Sequence, residues 1–107
     1  LPYNKMGVSL SINNNIYSPN ENIVVSYDTK NEEYTSGSCW IGLIPHNITS
    51  QDERENDCHD VDYFHVDDNK QGQGQLKTSQ IGKYTIKCFA NDNGGRYLGC
   101  IDHEITI

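Results

Sequence analysis

Basic residues are scarce in this chain. Eight lysines and arginines stand against fifteen aspartates and glutamates, a formal net charge of -7. That imbalance repels phosphate backbones, so nucleic acids and anionic membranes are poor partners, while cations, basic proteins and neutral glycans stay open. Long apolar runs are also missing. No segment approaches the ~20 apolar residues that span a bilayer as a helix, so no membrane insertion is expected. Helical periodicity is nearly absent, because no window repeats apolar residues at three-four spacing over three turns. Catalytic signatures are lacking too, with no G-x-S-x-G elbow and no P-loop, which points away from an enzyme. The opening Leu1-Pro2-Tyr3-Asn4-Lys5 lacks the apolar core of a signal peptide and reads as the start of a mature or trimmed chain.

What is present is period-two alternation. Hydrophobic residues make up only 35% of 107 residues, a stock that suits half-buried strands in one domain spanning 1–107. Val8, Leu10 and Ile12 alternate with serines, and Ile23, Val25 and Tyr27 repeat the pattern after the breaks at Asn13–Asn15 and Tyr17–Asn20. Asp28 to Ser38 reads as a polar loop or a weak edge strand. Cys39-Trp40-Ile41-Gly42-Leu43-Ile44 is the most apolar run, ended by Pro45, with Trp40 expected in the core between sheets. Gln51 to Asp60 reads as a charged loop, Tyr63–Val66 and Gly74–Thr78 as short strands, and Gln71–Gln75 as a biased linker. Tyr84, Ile86, Cys88 and Ala90 alternate cleanly up to the Asn91-Asp92-Asn93-Gly94-Gly95 turn, and the chain returns through Tyr97–Cys100 and His103–Ile107. Seven to eight short strands separated by turns predict an all-β antiparallel sandwich.

Four cysteines in so short a chain suggest two disulfides and an oxidising compartment, since no pair has the short spacing of a structural zinc site. Cys88 and Cys100 lie equally far from Gly94. A regular hairpin would set them opposite each other, which favours Cys88–Cys100 and leaves Cys39–Cys58. The alternative Cys39–Cys88 pairing stays open, and a slip in hairpin register would remove the preference.

The order of Tyr17-x-Pro19, Ile23-x-Val25-x-Tyr27, Trp40-Ile41-Gly42-Leu43, Gly82-x-Tyr84-x-Ile86, Phe89-x-Asn91-Asp92 and Tyr97-Leu98-Gly99 resembles immunoglobulin-like domains with a D-W-I-G strand, the SKICH-like family. Cys39 stands where that pattern has Asp. The resemblance implies a single immunoglobulin-like β-sandwich without a shared chemistry, so function must come from a site. In size, acidity and asparagine content the chain is also similar to small secreted lectins of protists and slime moulds.

Two segments carry candidate sites. The first is acidic: Asp52, Glu53, Glu55, Asp57, Asp60, Asp62, Asp67 and Asp68 face only Arg54, and calcium through Asp57, Asp60 and Asp62 is weighed against a solvated loop. Zinc through His59 and His65 is a weaker alternative. The second is the hairpin, where Asn91, Asp92, Asn93, Arg96 and Tyr97 supply hydroxyl-bonding groups and an aromatic face, although a tight turn needs Asn, Asp and Gly in any case. Asn47-Ile48-Thr49 is a sequon for N-glycosylation on a secreted surface. The expectation is a secreted or cell-surface carbohydrate-binding protein, lectin- or hemagglutinin-like, whose partner is a glycan or glycoprotein. Agglutination would need two sites per particle, for instance in a homodimer. The alternatives are an adhesion or adaptor module using an edge strand such as Met6–Ile12, or an accessory domain of a larger secreted enzyme.

Overall fold

A computed structural model describes residues 7–107; the reading of Leu1–Lys5 and the Met6 end of the expected edge strand lie outside it. Eight strands and one helix follow in order: β1 (Ser9–Ser11), β2 (Ile23–Asp28), β3 (Trp40–Pro45), α1 (Glu53–His59), β4 (Asp62–His65), β5 (Gln71–Leu76), β6 (Lys83–Phe89), β7 (Tyr97–Cys100) and β8 (Ile105–Thr106). The strands form two antiparallel sheets. One has the order β1-β2-β5; the other runs β4-β3-β6-β7, with β8 also paired to β6. Inward residues of both sheets share one core, among them Ile23, Val25 and Leu76 from the first and Ile41, Leu43 and Ile86 from the second. The mostly β, antiparallel architecture read from the alternation is therefore present.

Gln71–Gln75 is not a linker. It is the body of β5, paired along its length with β2, with glutamines outward and glycines inward. Glycine is needed inside because a Cβ at Gly74 would collide with the Phe64 ring and one at Gly72 with the Tyr27 ring. Those rings fill the space between the sheets that Gln-Gly alternation leaves open.

Gln51–Asp60 is not a loop either. Asp52 caps α1 by accepting from the Glu55 amide at 3.0 Å, Glu53 and Glu55 occupy the first turn, and His59 sits in the last. Each placement favours a helix through capping and the backbone dipole. The apolar stripe that usually reveals such a helix is missing, because its buried residues are Glu53 and Asn56.

The second sheet is consequently covered on both faces, and all of Trp40–Ile44 is buried. Ile41 and Leu43 point into the main core. Trp40 and Ile44 point the other way, into a second cluster with Phe89, flanked by Ile48 and Tyr97. Trp40 is thus a buried tryptophan, 2% exposed, but on the outer face beneath α1 and not between the sheets.

This two-sidedness overturns the expected disulfide geometry, and no cysteine is bonded to another in the structure. A bulge between Cys88 and Phe89 shifts the hairpin, so Cys88 registers with Gly99 and Lys87 with Cys100. Alternation then buries Cys88 in the main core and leaves Cys100 exposed. Cys39 also faces the main core, whereas Cys58 is exposed on α1, across the sheet from it. Cys39 and Cys88 are the pair that meet, with their sulfurs 3.9 Å apart.

Candidate functional site

The outer face of the second sheet carries a row of rings. His65 and Tyr63 of β4 lie edge-on at 5.4 Å, Tyr63 meets Trp40 at 6.4 Å, Trp40 stacks on Phe89 at 5.0 Å, and Phe89 meets Tyr97 at 5.8 Å. Strand period places them there: Trp40 registers with both His65 and Phe89, and Gly42 with Tyr63. The missing side chain at Gly42 is required, since a Cβ there would strike the Trp40 ring lying across it. Helix α1 packs over the middle of the row. Tyr63 remains 52% exposed at the β4 edge.

A polar frame holds the helix against these rings. Glu53, 2% exposed, accepts from the Trp40 indole nitrogen at 2.9 Å with one carboxylate oxygen and from the Gly94 amide at 2.8 Å with the other. One buried side chain thereby ties α1 to β3 and to the tip of the β6–β7 hairpin. Lys87 donates to the Ile48 and Ser50 carbonyls at 2.7 and 3.0 Å and to Asn56 Oδ1 at 2.9 Å. Burial lowers its pKa from the ordinary lysine value, outweighing the opposing influence of Cys100 and Glu55.

Between the exposed end of the ring row and the hairpin lies a cleft of about 180 Å³, lined by Trp40, Asp57, Tyr63, His65 and Asp92. Its walls come from four elements: Trp40 from β3, Asp57 from α1, Tyr63 and His65 from β4, and Asp92 from the hairpin. Asp92 is oriented from behind, where Ser38 donates to Oδ1 at 2.8 Å and the Asp92 amide donates to Ser38 Oγ at 3.0 Å. Its other oxygen faces His65 Nε2 at 3.5 Å. The cleft therefore offers an aromatic surface, two carboxylates and an imidazole on a rigid support. It is smaller than a drug-sized pocket (~300 Å³ and above) and suits one ring-sized group.

The five hairpin residues singled out from sequence do not form one site. Asp92 enters this cleft. Asn91 and Arg96 line another of about 300 Å³ with Glu33, Tyr34 and Thr35. Arg96 is engaged with Glu32 at 3.0 Å. Asn93 accepts a long 3.4 Å bond from Arg54, and Tyr97 packs on Phe89 at the far end of the ring row. Sequence reasoning missed Tyr63 and took His65 only as a zinc ligand. Their shared parity on an edge strand was the signal available.

Among the described residues no three His, Cys, Asp or Glu side chains converge to hold a metal ion. Asp57 lies on α1, Asp60 is its C-cap, and Asp62 accepts from the Tyr63 and Lys77 amides. Burial, followed by repulsion from Asp57, pushes the Asp60 carboxyl up to about 6. Asp67 accepts from Asn69, while His59 and His65 are exposed on different elements. Asn47 is exposed in the turn after β3, where its sequon is accessible. No helix among the described residues is long and apolar enough to cross a membrane. No protein-family model matches the chain, and no curated protein matches it in sequence.

Proposed function

We propose that this protein is a non-catalytic carbohydrate-binding module acting outside the cell or on its surface, with its site in the Tyr63–Asp92 cleft. The carrying observation is the half-exposed Tyr63 ring set beside Asp57, His65 and Asp92. A pyranose presents an apolar C–H face and equatorial hydroxyls, and such a site offers a π face for the first and carboxylate acceptors for the second. Two carboxylates in so small a cleft disfavour anionic sugars, so neutral or amino sugars are the expected ligands. The strand order supports an immunoglobulin-like framework carrying its site on connecting segments and an edge strand. Crosslinking of cells would require two clefts per particle, through a dimer or a longer chain.

An adhesion role for the same module draws on Ile16 and Ile81, which are 74% and 82% exposed. Both flank β8, away from the cleft: Ile16 bridges Thr106, and Gly82 pairs with Ile107.

A glycan array probed with the protein, with and without EDTA, tests the carbohydrate reading. Binding to neutral or amino sugars that Tyr63→Ala and Asp92→Ala both remove is the expected result. Uniform silence, or binding that survives both substitutions, overturns it. Loss of binding in EDTA would add a cation to the site.

A further inference from the structure

We infer that Cys39 and Cys88 are a disulfide site, and that their bond clamps β3 to β6 directly behind the cleft. Both side chains are buried in the main core, 0% and 1% exposed, and their sulfurs are in van der Waals contact at 3.9 Å. Cys88 lies on β6 and Cys39 immediately precedes the neighbouring β3, and both face the main core: Cys88 registers with Ile41, and Cys39 lies just before the Trp40–Phe89 pair. The bond forms when the sulfurs close from 3.9 Å to the bonded separation of about 2.05 Å. No other pairing has this placement, since Cys58 and Cys100 are exposed and Cys39 and Cys88 are not. The crosslink would sit one residue before Trp40 and one before Phe89, so it would brace the floor of the ring row.

The chemistry is thiol–disulfide exchange with a small-molecule or protein disulfide. The Cys39 thiolate attacks one sulfur of the oxidant, forming a mixed disulfide and expelling one thiolate. Cys88 gives its proton to solvent and attacks the Cys39 sulfur, expelling the second. The two cysteines lose two protons and two electrons, and the oxidant becomes two thiols. The hydrogen bond the two thiols share lowers the Cys39 pKa, while that bond and burial raise Cys88, which favours Cys39 as the first nucleophile. Because both sulfurs are buried, exchange takes place during folding or a transient opening of the sheet.

Trypsin separates the four cysteines onto different peptides, 31–54, 55–70, 88–96 and 97–107. The whole chain is to be refolded in oxidised and reduced glutathione, alkylated while denatured, and mapped without reduction. The expected product links 31–54 to 88–96. Linkage of Cys39 to Cys58 or of Cys88 to Cys100, or alkylation of both core cysteines, overturns the assignment. The Cys58→Ser/Cys100→Ser variant gives an independent reading. Its intact mass should fall by two hydrogens on oxidation, and its thermal midpoint should rise by roughly 15 °C over the reduced form. A glutathione adduct, or an unchanged midpoint with free thiols, contradicts the inference.

Discussion

Trp40→Phe isolates the bond that ties α1 to the second sheet. Phenylalanine keeps a ring over Phe89 and Gly42 but removes the indole N–H that Glu53 accepts at 2.9 Å. The carboxylate is 2% exposed and would keep only the Gly94 amide as a partner. A hydrogen bond to a charged group contributes about 1.5–3 kcal/mol, and its loss cannot be repaired by water at that depth. The smaller ring adds about 1–2 kcal/mol of lost burial and packing. The sum is about 2.5–5 kcal/mol, to be read as a fall of roughly 2 M in the urea midpoint by far-UV circular dichroism. The companion Glu53→Met and the double variant complete a cycle. Because Met leaves no buried charge, the double variant should be less destabilised than the two single losses summed, by about 1.5–3 kcal/mol. A Trp40→Phe midpoint equal to the parent, or a cycle additive to within about 0.5 kcal/mol, would refute the assigned role of Glu53.

Further expectations concern neighbouring positions. Tyr97→Ala should lower stability by about 2 kcal/mol through lost packing on Phe89 yet leave glycan affinity unchanged at temperatures where it is folded, checked by denaturation and by titration with the bound sugar. Gly74→Ala should cost about 1–3 kcal/mol, because its methyl group meets the Phe64 ring; a parental melting curve would show that the ring is free to move. Asp60 titrates near 6 in the folded chain against 3.8 for an unperturbed aspartate, so the fold prefers the protonated form. Its contribution disfavours folding above pH 6, fades as pH falls from 6 to 3.8, and vanishes below. The full shift corresponds to about 3 kcal/mol, and solvent screening of a partly exposed side chain leaves about 1 kcal/mol. Asp60→Asn should therefore stabilise the protein at pH 7 and not at about pH 3.5, measured as urea midpoints at the two values.

Strands were legible in the sequence wherever alternation separated an apolar face from a polar one, as in Ile23–Tyr27 and Tyr84–Ala90. Three features were not, each for a physical reason. Helix α1 buries Glu53 and Asn56, so its packing face is written in polar residues, although Asp52 and Glu55 carried a capping signal. Strand β5 buries glycines and takes its apolar contacts from Tyr27 and Phe64, which hides it from any search for hydrophobic alternation. Trp40 faces outward because α1 covers that side of the sheet, and nothing at Trp40 itself announces that cover.

The candidate site was partly legible. Asp92 was read from the hairpin and lines the cleft, but its neighbours come from β4 and α1, and that proximity depends on strand order and on where the helix packs. The Cys88–Cys100 expectation rested on counting from Gly94, and one bulge reversed which face Cys100 occupies. Register is the property that alternation alone leaves least determined.

Backbone amide shifts recorded while the most strongly bound array glycan is added test the central claim most directly. The account predicts perturbations clustered on Asp57, Tyr63, His65 and Asp92, absent in Tyr63→Ala. Shifts confined to Asn31–Ser36, or to the Ile16 and Ile81 surface, would contradict it.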